Sequence, residues 1–511
     1  MAPSSVISLP SAAPHIRTLA RVRNVLLRGT AGLAAAFLVL YPGSNARAQD
    51  QAPPQAQTQP LAPGKGPAKF SDLAPADRAF VEDLERRTFD WFWETANPEN
   101  GLIPDRAPLP EGAASIASVG FGLTAYGIGV DQGYITRQQA AERTLRTLRF
   151  LLALPQNDSA LGAAGYRGFF YHFLNPHTGL RFADWSELSS VDTALLMVGV
   201  LFSQSYFDQE NAQEQEIRRT AAALYGRVDW PWMEPHPPLL NMGWSPTPTS
   251  HFLSSEWRGY NEGLILYLLA LGSPTHPLPA STWQAWTATF AGQWKTFEGH
   301  EFLNFAPLFG HQYSESWIDF RDLQDDFNRQ HHNDYFSNGR KAAYAQLAYA
   351  RRNPGHWKDY GATLWGLTAS DGPGEGTRWV DGVQRHFMAY NARGAGADYV
   401  SDDGTIAPTA AGGSIAFAPE IALPTLEDMK AHYGKRIYNR YGFVDAFNPS
   451  YVTPEGFWAD PQQIGIDQGP ILLMIANWRN GFVWNVMKRN PVIQAALKKA
   501  GFQGGWLDQT R

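Results

Sequence analysis

The 511-residue chain contains no cysteine. That excludes thiol nucleophiles, cysteine-held zinc and iron–sulfur clusters, and it leaves an exported form to be stabilised by its core rather than by disulfides. Charge is also scarce. Only 18% of residues are charged, and 42 Lys and Arg nearly balance 48 Asp and Glu, for a net charge of −6. No basic surface for nucleic acid is expected from that balance. Several motifs are missing: no Gly-x-Ser-x-Gly elbow for a serine hydrolase, no phosphate-cradling or dinucleotide loop, and no His-Glu-x-x-His metal motif. His331 and His332 are adjacent and so point apart on a helix; neither a metal nor any other cofactor is expected. The excess lies in aromatic residues, with 18 Trp, 20 Tyr and 29 Phe. Such rings fill cores. Trp and Tyr also pair an apolar face with a polar tip, which suits a sugar.

Three segments follow from local composition. Residues 1–48 read as a secretory signal. Arg17, Arg21, Arg23 and Arg28 form a basic stretch, Ala31 to Tyr41 is apolar, and Ala46-Arg47-Ala48 is a cleavage signal before Gln49. The apolar stretch is about half of the roughly 20 residues that span a bilayer, so no membrane span is expected once the signal is removed. The mature chain is expected in the periplasm or the medium. Residues 49–69, rich in Pro, Gln and Ala, read as a disordered linker. Residues 70–511 show no second linker and read as one catalytic domain.

Within that domain the periodicity is helical and strand alternation is scarce. Phe80 to Trp93, Thr136 to Leu152, Glu216 to Val228, Tyr335 to Arg352 and Thr425 to Tyr433 are amphipathic or aromatic helices. Val191 to Phe207, Gly259 to Leu271 and Ile464 to Lys488 are apolar nearly all round and should be buried. Thr136 with Gln139 and Ser281 with Gln284 are capping-box candidates. Apolar helices inside amphipathic ones predict an all-α fold, an (α/α)6 toroid or barrel whose long loops form a cleft on one rim.

Acids gather beside aromatics in four loops. Asp184, Trp185, Glu187 and Asp192 lead into one buried helix, where the positive helix end favours carboxylates. Helix capping by Asp184, Ser186 or Ser189 is the plain alternative. Glu256, Trp257, Arg258 and Glu262 lead into the next. A Glu against an indole suits a general acid, but Arg258 could equally make Glu256 half of a salt bridge, and Glu262 could be a buried acid held by Arg321 or a Tyr. His311, Tyr313, Trp317, Asp319 and Arg321 read as a polar, aromatic wall for sugar hydroxyls. Asp445 stands between aromatics in Gly442–Pro449, whereas Asp467 reads as a helix cap. The turn at Asp402-Asp403 lacks the regularly spaced acids of a calcium loop. Carboxylate acid/base chemistry on an aromatic-lined cleft is what glycosidic hydrolysis needs.

Ten ordered blocks carry a family resemblance: GLIPDRAP, ASIASVGFGLTAYGIGV, GFFYHFLNPHTGLRF, ELSSVDTALL, WRGYNEGLILYLLALGSPTHP, FAPLFGHQYSESWIDFR, WGLTASDGP, DDGTIAPTAAGGS, YGFVDAFNP and IDQGPILLMI. Together they resemble the glycoamylase-like domain, the family of the bacterial endo-β-1,2-glucanases of glycoside hydrolase family 144, from about residue 85 to 485. The resemblance implies an (α/α)6 fold and metal-free hydrolysis of β-1,2-glucan with inversion. It places cleft acids at Asp184, Glu187, Glu256 and Asp445. Glu256 is the expected acid, Glu187 or Asp445 would activate water, and Trp185, Trp257, Tyr313, Trp317 and Arg321 would hold glucose units. The partner expected is therefore a polysaccharide or oligosaccharide. One departure stands out: Ser337 and Gly339 occupy positions where such domains are expected to carry Glu and Ser. Exo-acting and transglycosylating relatives share the domain. A lyase would need a basic cleft, and a non-catalytic glucan-binding protein would not need Glu187, Glu256 and Asp445 together.

Overall fold

The computed structural model describes residues 68–108 and 112–510; the signal and most of the linker expected from the sequence lie outside them. The helices that build the layers are α1 (Pro75–Thr95), α2 (Ile116–Asp131), α3 (Arg137–Ala153), α4 (Ser190–Tyr206), α5 (Ala212–Gly226), α6 (Gly263–Gly272), α7 (Ala280–Ala288), α8 (Phe309–Trp317), α9 (Tyr335–Arg352), α10 (Pro408–Gly412), α11 (Pro419–Ile437), α12 (Gly465–Asn480) and α13 (Pro491–Lys499).

Burial sorts them into two sets. Every residue of α6 and α8 is buried, and α2, α4 and α12 are buried over nearly their whole length. These helices touch in succession: α2 on α4, α4 on α6, α6 on α8, α10 on α12 and α12 back on α2. Gln312 of α8 completes the series by donating from Nε2 to the Ala410 carbonyl of α10 at 2.9 Å. The amphipathic helices each pack outside one of them, α3 on α2, α5 on α4, α7 on α6, α9 on α8 and α11 on α10. Side chains meet in the middle. Trp317 of α8 donates from Nε1 to Thr124 Oγ1 of α2 at 2.9 Å, and its ring lies 4.6 Å from that of Phe121.

The α2–α4 crossing is close because neither helix carries a side chain there. A Cβ on Gly199 would stand 2.1 Å from the Gly120 carbonyl oxygen, and one on Gly120 would stand 2.1 Å from that of Leu195. Backbone cannot step aside as a side chain can. Gly199→Ala is therefore expected to cost at least about 1–3 kcal/mol, read as a lowered melting temperature; an unchanged melting curve would contradict this crossing.

Thr136 and Gln139 make the expected capping box at α3. Ser281 does not cap α7, whose N-cap is Pro279, two residues earlier and without a side-chain bond. The apolar stretch expected to run unbroken to Lys488 stops at Gly481, which takes φ 70° and ends α12; a separate turn of helix, Phe482–Met487, follows. The structure also contains strands that an all-α reading left out, all short. They include β1 (Leu188–Ser189), β2 (Gly243–Ser245) and β3 (His251–Phe252), which form one antiparallel patch. Two hairpins follow, β4 (Gly376–Val380) with β5 (Val383–Phe387), and β6 (Phe447–Thr453) with β7 (Gly456–Ala459). The β1–β3 patch lies in the loops leading into the N-terminal ends of α4 and α6.

Candidate active site

The acids converge at the N-terminal ends of the buried helices, in two groups. In the first, His172 stands between two carboxylates. Its Nδ1 is 2.9 Å from Glu187 Oε1 and its Nε2 is 3.6 Å from Asp192 Oδ1. Backbone pairing sets this up, since the His172 amide donates to the Glu187 carbonyl at 2.9 Å. The ring is buried and stacked on Phe173, with 3.9 Å between centroids. Asp192 lies in the first turn of α4, where Ser189 Oγ donates to its Oδ2 at 2.6 Å. Ser189, rather than Asp184 or Ser186, is the N-cap of that helix.

Burial works against a charge on His172, but Asp192 and Glu187 outweigh it and push the imidazole up to about 9. Burial likewise opposes charge on Glu187, and the imidazolium beside it overrides that and holds the carboxyl below its usual range. A histidine raised from about 6.5 contributes its ion-pair stabilisation fully below that pH. The contribution is lost as pH rises through about 9. Melting temperature is therefore expected to fall more steeply from about pH 6.5 to about pH 9 in the wild type than in His172→Asn; parallel curves would contradict the imidazolium.

The second group centres on Asp445. Its Oδ2 accepts from the Asp371 amide at 2.7 Å, and its buried Oδ1 has no hydrogen-bond partner. Carboxylate oxygens of Asp371, Asp445 and Asp460 lie within 4.8 Å of one another. One cation serves the group: Arg106 Nη1 donates to Asp371 Oδ2 at 2.5 Å, and its Nε to Asp105 Oδ2 at 3.0 Å. So many carboxyls around one guanidinium cannot all ionise. Burial, then Asp467 and Asp371, pushes Asp445 far up. Asp460 rises to about 9 through burial and its neighbours Asp371 and Asp445. Asp467 rises to about 8, chiefly through burial. It is the third residue of α12 and makes no cap bond, so the capping role expected for it is replaced by membership of this group.

Both groups contain donor atoms spaced for a metal ion. In the first, both nitrogens of His172 already face carboxylates, and in the second Arg106 pairs with Asp371.

Of the other expected residues, Glu262 and Tyr313 join the acids. Glu262 is buried, its Oε2 is unpartnered, and burial followed by the Asp192 charge raises its carboxyl to about 7. Tyr313 is buried on α8 near Asp467, Glu262 and Asp192, and its phenol is pushed far up by burial and those charges. Glu256 lies on the same rim, paired through the backbone with Asn241 beside β2. Its Oε2 accepts from Arg258 Nη2 at 2.7 Å, and its Oε1 is 3.7 Å from His236 Nδ1. Asp184 is exposed at the rim, and Trp185 is half-buried with its ring against Phe173 and Phe182.

The rest go elsewhere. Trp257 turns inward and donates from Nε1 to Ser190 Oγ at 2.9 Å, and Trp317 is a core ring, so neither face is open to a sugar. His311 is buried and pushed down to about 4, with Nε2 at 3.0 Å from the Phe305 carbonyl. Asp319 and Arg321 lie beyond the C-terminal end of α8, away from the acids. There Arg321 pairs with Asp319 and not with Glu262, and Lys488 joins them at 2.6 Å. Ser337 and Gly339 lie in the first turns of α9, with the Ser337 amide capped by Asp334 and Gly339 packed on Phe417.

Sequence reasoning missed Asp105, Arg106, His172, Asp371, Tyr390 and Asp460. None lies in the four acid-rich loops, which drew attention first. Tyr390 belongs with the second group, since burial and then Asp467 and Asp445 push its phenol far up.

The Glycoamylase family model, described as "Putative glucoamylase", matches residues 254–491. A solved structure from Bacteroides uniformis, also a "putative glucoamylase", is 30% identical with TM-score 0.74, covering 85% of this chain and all of that one. An endo-β-1,2-glucanase from Chitinophaga pinensis, solved with sophorotriose and glucose, is 29% identical with TM-score 0.71, covering 84% of this chain and 99% of that one. An exo β-1,2-glucooligosaccharide sophorohydrolase of Parabacteroides distasonis is 28% identical over 452 residues. That match takes in 83% of this chain, which spans 58% of the length of that relative.

Proposed function

Since the chain belongs to the glycoamylase family, we propose that it is an exported glycoside hydrolase that cleaves β-1,2-glucan with inversion, on an (α/α)6 toroid. The closed succession of buried helices supports the toroid, and the basic, apolar and Ala-x-Ala stretches of residues 17–48 support export. The substrate comes from relatives that act on β-1,2-linked glucose, one in endo and one in exo mode.

The observation that carries the chemistry is the convergence of carboxyls at one rim, with Glu187 held down and Asp445 and Glu262 pushed up from the usual range. Inverting hydrolysis needs a protonated acid at the leaving oxygen and an ionised base beside water, roughly 6.5–9.5 Å apart. Glu187, held ionised by His172, suits the base. Glu256, on the rim with part of its side chain open to solvent, is the proton donor. The Asp371 amide holds Asp445 in place, and Arg106 holds Asp371 and Asp105 beside it. The base role expected for Asp445 from the sequence suits it less, because burial and then Asp467 and Asp371 push its carboxyl far up and favour the protonated form.

Product sizing on linear β-1,2-glucan tests the function. A ladder of short β-1,2-oligosaccharides is expected for endo cleavage. A single disaccharide would make the enzyme exo-acting, and activity only on another polysaccharide would overturn the substrate.

A further inference from the structure

We propose that Trp379, on the β4–β5 hairpin, is a stacking platform for a glucose unit of the glucan chain outside the acid-lined cleft. The inference rests on the β-1,2-glucan reading and adds a site to it. The indole is 73% exposed, an unusual position for the largest side chain on a two-stranded hairpin.

Register explains why it faces out. In an antiparallel pair, directly opposed residues share a face and successive residues alternate. Gly376 with Phe387, Arg378 with Arg385 and Val380 with Val383 share one face. Towards its root that face packs inward: Phe387 meets the Tyr451 ring at 4.8 Å, Arg378 lies 4.0 Å over Tyr451, and Arg385 lies 4.1 Å over Trp357, while Val383 at the tip is 51% exposed. The other face carries Trp379 with Gln384, and Thr377 with His386. An exposed indole flanked by a hydroxyl, an amide and an imidazole offers a sugar both a ring to stack on and groups to bond its hydroxyls.

The hairpin is continuous with the cleft. At its base, Ala369–Ser370 pairs with Asn391–Ala392, and the next residues towards the hairpin are Asp371 and Tyr390, members of the Asp445 group. Trp379 stands three strand residues, about 10 Å, beyond Gly376. A polysaccharide leaving the acids along this hairpin reaches the indole, whereas a short oligosaccharide bound at the acids does not.

The test compares Trp379→Ala and Trp379→Phe with the wild type on long linear β-1,2-glucan and on the shortest β-1,2-oligosaccharide cleaved. Stacking of this kind corresponds to roughly 3–10-fold in affinity. The ratio of KM on long glucan to KM on the short substrate is expected to rise by that factor in the Ala variant and less in the Phe variant, with kcat on long glucan changed far less than KM. Retardation in a native gel containing soluble β-1,2-glucan is expected to weaken in parallel. If the wild type cleaves and is retarded while Trp379→Ala matches it in both assays, the platform is refuted and the hydrolase reading stands. If the wild type neither cleaves nor is retarded by this glucan, both fall.

Discussion

Replacing Glu256 by Gln is expected to lower kcat on linear β-1,2-glucan by about 10²–10⁴-fold while leaving the melting temperature nearly unmoved. The two halves of that expectation have separate causes. Arg258 and His236, the ionic partners of Glu256, have side chains 59% and 79% exposed. Ion pairs so open to solvent contribute about 1 kcal/mol at most, and Gln still accepts from Arg258. Stability therefore changes little. Gln cannot deliver a proton to a departing sugar oxygen, so the chemical step suffers. An aryl glucoside whose leaving group departs without protonation should recover much of the lost rate in Glu256→Gln, whereas Glu187→Gln should stay slow on both substrates. Full activity in Glu256→Gln would reduce Glu256 to half of a salt bridge.

Arg393→Met is expected to destabilise the protein by about 3–5 kcal/mol. Arg393 has no exposed surface, and its guanidinium meets Asp403 through two bonds, Nε to Oδ1 at 2.7 Å and Nη2 to Oδ2 at 2.8 Å. Its remaining donors go to the carbonyls of Ser370, Asp371, Met388 and Ala389. The residue thus ties both sides of the root of the β4–β5 hairpin, the Asp371 segment included, to Asp403. Removing it strands the Asp403 carboxylate in a buried site that Arg393 otherwise compensates. It also frees the Asp371 backbone that donates to Asp445. Denaturant unfolding should show the loss, and activity should fall with it. Replacing Asp403 by Leu in the same chain should recover part of the stability, because no unpaired charge then remains. A loss below about 1 kcal/mol in Arg393→Met would show that the pair stabilises no more than an exposed one does.

What could be read from the sequence, and what could not, follows from how far each signal reaches along the chain. The buried helices were legible because α4 and α6 are apolar on all faces, a property of ten or more consecutive residues. The α3 cap was legible because Thr136 and Gln139 are three residues apart and answer only to each other. Two-residue strands such as Leu188–Ser189 leave no alternation to detect. The site divides in the same way. Glu187, Asp192, Glu256 and Glu262 announce themselves as acids before apolar helices. His172 is 15 residues from the Glu187 it bridges, and Arg106 is 265 residues from Asp371; only folding joins them. Trp257 and Trp317 show the opposite error. A tryptophan beside an acid resembles a sugar platform in sequence, yet both indoles find buried hydroxyl partners in the core. Trp379 lies outside the four loops that drew attention, although it is the indole that solvent reaches most.

The most direct test of the account is the anomeric form of the first reducing ends released from linear β-1,2-glucan, followed by proton NMR before mutarotation. Hydrolysis by one carboxyl donating a proton and another activating water predicts that the α-anomer appears first and the β-anomer grows in later. A β-anomer formed first would mean retention, hence a covalent intermediate and carboxyls closer together than this account requires; no new reducing ends at all would remove β-1,2-glucan as the substrate.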